Sequence, residues 1–250
     1  MTAAVETDRG LFVYGVVPAD AATPSGLTGV DESVIELVRA GRVAAAVGFI
    51  DLDRGAGRRA ELLAYHAVLD ALSEAGPVAP VRFGSVLADA EAVAEDFLLP
   101  QEDYLVELLA DLEGRRQYNL RATYLEDVVL GELVLADPEI RELRERTRDL
   151  PEEVAYGDRV RLGELVAREL EARSAEDAEL LLDAVVPRSA AHVVRAASDG
   201  FQILDVALLV DDERSEELVN ILEGLAEAMH ERIRLRLVGP VAPYEFAGGT

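Results

Sequence analysis

The feature that most constrains the fold is a change of hydrophobic period in the last quarter of the chain. Residues 190–210 contain two apolar runs around Asp199-Gly200, a pair typical of a tight hairpin turn whose central residues need positive φ. Residues 211–233 then repeat with a helical period behind an acidic first turn. The apolar stripe of this helix consists of Leu218, Ile221, Leu222, Leu225 and Met229. Residues 233–239 alternate again, so the order predicts a strand pair, a helix and a closing strand whose arginines face water.

An alternating segment and a helix-rich stretch come before this region. Residues 118–125 predict a strand, and residues 126–186 predict helices. New helices are expected at Pro138 and Pro151, because proline is favoured in a first helical turn. Together with the hairpin, helix and closing strand, this gives the β-α-β-β-α-β order of a ferredoxin-like fold with inserted helices.

Two breaks are predicted inside the helix-rich stretch. Gly157-Asp158 is typical of a helix end followed by an N-cap. Residues 174–177, Ser-Ala-Glu-Asp, resemble a capping box that restarts a helix.

The first half of the chain has a rougher version of the same pattern. Strands are predicted at residues 11–17 and 78–87, and a hairpin within residues 33–51 turns at residues 39–42. Helices are predicted at residues 53–76 and 88–114, the second with a kink or a new start at Pro100. No helix is predicted between its first strands.

These elements predict an α+β protein made of two α/β domains. We expect an N-terminal α/β domain at residues 1–115 and a C-terminal, modified ferredoxin-like domain with a helical insertion at residues 116–238. Residues 239–250 form a tail that prolines stiffen, and we expect it to pack back on the protein. Its aromatic residues, Tyr244 and Phe246, are expected at the seam between the two halves; the alternative is that they form an exposed edge that binds a partner.

The charge balance argues against several classes of partner. The chain of 250 residues has 49 acidic residues, 24 basic residues that are all arginine, and a net charge of -25, so nucleic acid is not expected as a partner. With no cysteine, disulfides and thiolate metal sites are excluded. No apolar run is long enough to span a bilayer, and no basic-then-apolar segment opens the chain. We therefore expect a cytoplasmic, soluble protein without a signal peptide or a lipid-membrane partner.

The sequence shows no catalytic machinery. His66, His192 and His230 lack the spacing of a metal site, and we expect half-buried packing for His66 and a helix end for His230. No dinucleotide-binding or P-loop pattern is present, and Ser85 and Ser189 lack the context of a serine nucleophile. We therefore expect no catalytic, cofactor-binding or metal-binding residue, and no cofactor.

Several weaker signals remain open. Residues 55–59, Gly-Ala-Gly-Arg-Arg, could hold an anion with backbone amides, although a plain loop and helix start is the favoured explanation. Asp51 and Asp53 could form a carboxylate pair, but 49 acids make chance pairs common. Arg82 and Asp205 interrupt apolar segments, so each is either a solvent-facing position or a buried charge that needs a partner.

Five stretches resemble the gas vesicle protein F/L family, in order along the chain: residues 11–17, 65–89, 108–127, 204–227 and 236–247. The second has the family's His, helix and Pro-x-Arg-Phe-Gly run, with Ser85 where Thr is usual. In the third, Gln117 stands where the family often has Glu. The last is similar to the family's Gly-Pro-Trp-Pro-Pro-Tyr-Ser-Phe tail, with Val241 and Ala242 in place of Trp and Pro.

This resemblance implies an accessory or minor structural protein of gas vesicle formation. Such a protein is not an enzyme. It would bind the small, hydrophobic shell protein and assist its assembly, together with other gas vesicle accessory proteins, and it would be found at the gas vesicle. The resemblance supplies no catalytic residues.

A second class of function stays open at this point. A small-molecule-binding sensor or an enzyme can also be built on a ferredoxin-like scaffold. A deep pocket that gathers His66, Arg82 or Asp205 would favour this alternative. A contiguous apolar surface would favour binding of a hydrophobic protein instead.

Overall fold

In a computed structural model, the structure describes residues 9–22, 25–52 and 59–248. The chain is a mixed helix and sheet protein with two antiparallel sheets, which confirms the expected α+β class. Its contacts divide it into two compact units. The first unit consists of Met1–Gln117 with Pro240–Thr250, and the second is Tyr118–Gly239. The chain therefore leaves the first unit once and returns to it with its tail.

The sheet of the first unit is built around strand β1, Arg9–Pro18. The other strands are β2, Glu36–Ala40; β3, Val43–Asp51; β4, Ala79–Pro80; and β5, Val86–Leu87. The order is β2-β3-β1-β4, and β5 also pairs with β1. Strands β1 and β3 run antiparallel from Arg9 opposite Asp51 to Pro18 opposite Val43, with an irregularity between Val13 and Gly15. Because neighbours lie on both sides of β1, eight consecutive residues of this strand are buried.

The single strand predicted at residues 78–87 is wrong, because a turn divides it into β4 and β5. Ser85 donates its backbone N–H to the carbonyl of Arg82 at 3.1 Å, and Gly84 adopts a φ of 90°. Both short strands still pair with β1. The apolar pattern therefore resembles that of one strand, although a turn separates the two paired segments.

The helices of the first unit are α1, Arg59–Ala75, and α2, Glu102–Leu112. A π-helical segment, Ala92–Leu98, and a 3-10 turn, Leu99–Gln101, lead into α2. The predicted break at Pro100 is confirmed, since this proline occupies the 3-10 turn.

The second unit has the element order that the hydrophobic periods predict. It contains most of β6, Arg115–Tyr124, and most of β9, Ile233–Val241, whose outer ends belong to the first unit. Between them lie α3, Glu126–Ala136; α4, Pro138–Thr147; α5, Glu152–Val185; β7, Ala191–Val194; β8, Gln202–Asp211; and α6, Ser215–Met229. The sheet order is β7-β8-β6-β9. One face of this sheet packs with the helices in a core that includes Leu120, Val206, Leu218 and Ile233. The predicted water-facing arginines of the last strand, Arg234 and Arg236, are exposed.

The two breaks predicted inside the helix-rich stretch are wrong, because α5 is continuous over 34 residues. Asp158 accepts hydrogen bonds from the guanidinium of Arg146 at 2.8 and 2.9 Å instead of capping a helix. Asp177 is buried and accepts bonds from Tyr124 and, at 2.6 Å, from Arg232. Tertiary contacts therefore use the polar residues that local chemistry assigns to caps.

The hairpin of β7 and β8 is present, but its predicted two-residue turn is wrong. Strand pairing ends at Val194 opposite Val206, and Arg195 donates its N–H to the carbonyl of Asp205 at 2.8 Å. The wider connection is stabilised by the Asp199 carboxylate, which accepts from the backbone of Phe201 at 2.9 Å and of Gln202 at 3.0 Å. Gly200 does not adopt positive φ.

Candidate functional site

A groove of about 740 Å³ opens in the first unit between helices α1 and α2. The end of β1 and the loop after it form its third wall. Most of its lining is small or aliphatic: Val17, Ala21, Ala22, Ala71, Leu72, Ala75, Val106, Leu109 and Ala110. The groove can therefore receive an apolar body that is larger than a single side chain.

Local sequence explains why this space stays open. Ala71 and Ala75 are four residues apart on α1, so they lie on one face and leave room above the buried Leu72. On α2, Ala110 is exposed beside the buried Leu109. Because both helices present small side chains, their surfaces do not close against each other.

Three charged residues, Asp20, Arg42 and Glu113, also line the groove, and Arg42 is held by two carboxylates of α2. Its guanidinium donates to Glu102 at 2.9 Å and also bonds Asp103, while its backbone N–H donates to Glu102 at 2.8 Å. The backbone hydrogen bond from Arg42, followed by the side-chain bond, lowers the pKa of Glu102. Arg42 is exposed and Glu102 is partly exposed, so the pairing positions the β2–β3 turn more than it adds stability.

The C-terminal tail packs against an aromatic cluster of the same unit. The ring of Tyr244 lies 5.8 Å from that of Tyr65 and 5.7 Å from that of His66. Glu245 donates its backbone N–H to the side chain of Gln117 at 3.0 Å. Burial, followed by the hydrogen bond with Tyr244, raises the pKa of Tyr65. The expected place of the tail aromatics at the seam between the halves stays a prediction.

Asp205 is buried, so of its two interpretations the buried charge is correct. Its carboxylate accepts from Arg121 at 2.7 and 3.2 Å and from Arg195 at 2.9 Å. Arg195 also donates to the side chain of Asn119 at 3.1 Å. Burial pushes the pKa of Asp205 upward, but the hydrogen bonds from Arg195 and Arg121 outweigh it and lower the pKa below its ordinary value.

The other singled-out residues do not converge on one site. His66 is exposed, which corrects the expected half-buried packing, although its ring contacts Tyr65 and Tyr244. His192 is exposed on β7, and Arg82 faces solvent in the turn between β4 and β5. His230 caps the end of α6 and donates from Nδ1 to the carbonyl of Glu227 at 2.7 Å, as its predicted position at a helix end requires.

The weaker candidates have structural roles or lie outside the description. Ser189 donates its hydroxyl to the carbonyl of Val186 at 2.9 Å at a helix end, and Ser85 belongs to the turn before β5. Asp51 ends β3, but Asp53 and all of the possible anion loop except Arg59 lie outside the described residues. Within residues 9–22, 25–52 and 59–248, no group of three or more His, Asp or Glu is arranged to hold a metal ion.

In the described part of the chain, no helix is long and apolar enough to cross a membrane.

The groove between α1 and α2 was not predicted. The signal was present as alanines spaced four apart on α1, but only the fold shows that α2, about thirty residues further along the chain, faces them.

The comparisons with known proteins agree over nearly the whole chain. The family model described as "Gas vesicle synthesis protein GvpL/GvpF" matches residues 10–248. The chain is 29% identical to gas vesicle protein F of Streptomyces sp. (strain CB03234), over 94% of this chain and 98% of that protein. It is 28% identical to gas vesicle protein L of the same strain, over 98% of this chain and 95% of that protein.

Two solved structures share the fold. The crystal structure of gas vesicle protein GvpF from Anabaena sp. PCC7120 matches with a TM-score of 0.81 and 22% identity, covering 96% of this chain and 99% of that one. GvpF from Microcystis aeruginosa matches with a TM-score of 0.78 and 23% identity, covering 95% and 98%.

Proposed function

The chain belongs to the GvpL/GvpF family of gas vesicle synthesis proteins and has a role in gas vesicle formation, and from this premise we propose that it binds the hydrophobic shell protein and assists its assembly. The proposed partners are the shell protein and other gas vesicle accessory proteins. We propose that the protein acts at the gas vesicle and that it is soluble in the cytoplasm before assembly. The role is one of binding, with no catalysed reaction.

The apolar groove between α1 and α2 is the observation that supports this proposal most. An amphipathic helix can lie in such a groove with its apolar face against leucine and alanine side chains. Small residues such as Ala75 and Ala110 let the backbone of a bound helix approach closely, which strengthens dispersion contacts. A segment of the shell protein in this position would be shielded from water.

The charge of the chain supports the same role. A protein that covers a hydrophobic client must itself stay dispersed, and a net charge of -25 resists association of the complexes with one another.

The finer fold assignment is also part of this proposal. The second unit has the β-α-β-β-α-β element order, with α3, α4 and α5 all between its first two strands. We assign it a modified ferredoxin-like fold in which two of these helices are insertions. Both units are proposed to be domains, with the tail from Pro240 onward belonging to the first.

A small-molecule-binding role is the second candidate, because the groove volume of about 740 Å³ lies within the usual range of ligand sites. None of His66, Arg82 and Asp205 lines this groove, so the polar residues that would favour a small-molecule site do not meet there. The shell protein is therefore the occupant that we propose.

A pull-down at about 150 mM salt tests the proposal. Purified shell protein should be retained by the immobilised wild-type chain and lost on the Ala75→Glu/Ala110→Glu variant, because two carboxylates would enter the apolar groove. A matched variant, Ala60→Glu/Ala228→Glu, changes exposed helical alanines outside the groove and should retain the shell protein. Failure of the wild-type chain to recover shell protein would reject the function. Equal recovery by the groove variant would reject the groove as the site.

A further inference from the structure

A row of charged residues crosses the second sheet at a place that the proposed function does not use. Arg195, directly after β7, bonds Asp205 on β8, and Asp205 bonds Arg121 on β6 at 2.7 Å. Strand β9 continues the sheet beyond β6. The N–H of Leu125 donates to the carbonyl of Arg232 at 2.8 Å. Counting along the two antiparallel strands from that bond places Arg236 opposite Arg121.

Counting two residues back from Arg236 places Arg234 on the same face of β9, opposite Thr123. This register agrees with the core, because it turns the intervening Leu235 toward the helices, where it packs. The row therefore ends in two arginines that lie on one face of an edge strand.

The row has more positive charge than it can neutralise. Its one carboxylate, Asp205, is 8% exposed and already bonds both Arg121 and Arg195. Arg234 and Arg236 are exposed, and neither makes an ion pair or hydrogen bond through its side chain to any described residue. Like charges directly opposite each other on neighbouring strands are destabilising, so Arg121 and Arg236 would gain from an added anion.

The geometry of β9 indicates what could carry that anion. In the described part of the chain the sheet ends at β9, so one side of this strand has no neighbouring strand. The same register points the backbone N–H and C=O groups of Ile233, Leu235 and Leu237 away from β6. A strand added there would place alternate side chains beside Arg234 and Arg236.

We propose that β9 is a docking edge for an extended acidic segment of a partner protein. The segment pairs with the outer backbone groups of β9 and places carboxylates two residues apart against Arg234 and Arg236. Charge complementarity selects it, because this basic face stands out on a chain with a net charge of -25. The proposal concerns a different surface from the groove and does not depend on it.

The competing explanation is that the arginines only protect an edge. Charged side chains on edge strands prevent unwanted strand pairing between molecules. Under that explanation the arginines would bind nothing, and their removal would increase self-association.

The test uses a fluorescent peptide of nine residues, the length of β9, in which Glu alternates with Thr. Fluorescence anisotropy at about 50 mM salt measures its binding to the full chain. The Arg234→Gln/Arg236→Gln variant should weaken binding about tenfold, because two charge-assisted contacts are lost. The control Arg144→Gln/Arg148→Gln removes the same charge at exposed positions whose side chains make no hydrogen bond or ion pair with the described residues, and it should change affinity less than about twofold.

Two further peptides separate strand addition from general charge attraction. The acidic peptide with N-methyl groups on alternate residues keeps its charges but cannot pair as a strand, and it should not bind. An Arg-Thr peptide should bind the Arg234→Glu/Arg236→Glu variant about tenfold more tightly than it binds the wild-type chain, whose net charge of -25 attracts a cationic peptide without strand pairing. Thermal melts verify that each variant is folded.

The proposal is overturned if the acidic peptide does not bind the wild-type chain. It is also overturned if Arg234→Gln/Arg236→Gln binds the peptide as tightly as the control Arg144→Gln/Arg148→Gln does. Retained binding of the N-methylated peptide also overturns it. Unchanged peptide affinity with increased self-association of Arg234→Gln/Arg236→Gln would instead establish edge protection.

Discussion

At the residue scale, Asp205 is the most unusual position, because a charged side chain interrupts an apolar strand. A carboxylate in an apolar strand costs free energy unless other groups replace its water. Here Arg121 and Arg195 do so from two sides, and neither arginine is itself fully buried. The charge therefore stays inside the sheet because its partners remain hydrated.

Replacing Asp205 with Asn should destabilise the protein. The substitution removes the negative charge that Asp205 presents to Arg121 and Arg195, and we expect the free energy of unfolding at pH 7 to fall by about 1–3 kcal/mol. Urea denaturation measures this loss. The exposed Asp183→Asn in α5 is the control and should change stability by less than about 0.5 kcal/mol.

The pH dependence of the same variant checks the cause. The pKa of Asp205 is lowered in the folded state, so its stabilising effect is present above the ordinary aspartate pKa and is lost as pH falls through the lower, folded value. The stability difference between wild type and Asp205→Asn should therefore narrow below about pH 4. A difference of constant size between pH 7 and pH 3 would show that charge is not responsible.

At the element scale, helix α5 shows how tertiary contacts override local signals. Gly157-Asp158 and residues 174–177 have the chemistry of helix boundaries, yet the helix passes through both. A glycine inside a helix costs only about 1 kcal/mol, which the packing of Leu165, Leu170 and Leu181 can offset. The continuous helix thus follows from its buried face.

Gly157→Ala should stabilise the chain by about 0.5–1 kcal/mol, because alanine favours a helix interior and the added methyl group meets no described atom within 4 Å outside its own turns of the helix backbone. Thermal denaturation should show a higher midpoint. Gly84→Ala is the opposite case, since Gly84 has a φ of 90° that strains other residues, and it should lower the midpoint. A lower midpoint for Gly157→Ala would argue against the continuous helix.

The tail offers a second prediction at this scale. Tyr244→Ala removes ring contacts with Tyr65 and His66 and should cost about 1–3 kcal/mol of unfolding free energy. Tyr156→Ala on α5 is the control, because that side chain is 67% exposed. Unchanged stability together with lost shell-protein binding would make the tail a binding edge instead of a packed segment.

At the scale of the whole molecule, the sequence predicts the order of the strands and helices better than the turns and breaks between them. The hydrophobic periods indicate strands and helices because each element buries one face, and α6 buries Leu218 and Leu222 of the predicted stripe. The turns and breaks depend on contacts between residues that are far apart in the sequence. The split strand at residues 78–87 forms because both of its parts reach β1, and the turn after β7 follows where β8 pairs.

The candidate site could not be predicted from local sequence patterns for the same reason. The groove joins α1 and α2 with the end of β1, and no single segment contains its pattern. Asp205 could be identified as unusual, but its partner Arg121 is 84 residues away in the sequence. Unusual residues such as Asp205 can therefore be identified in the sequence, but the fold determines which residues contact them.

The central claim is that the chain keeps the shell protein soluble by covering its apolar surface. The most direct measurement is the share of shell protein left in the supernatant after high-speed centrifugation of cells that co-express both proteins. We predict a large soluble share with the wild-type chain or with Ala60→Glu/Ala228→Glu, and a small share with Ala75→Glu/Ala110→Glu. An equally insoluble shell protein with and without the wild-type chain would contradict the claim.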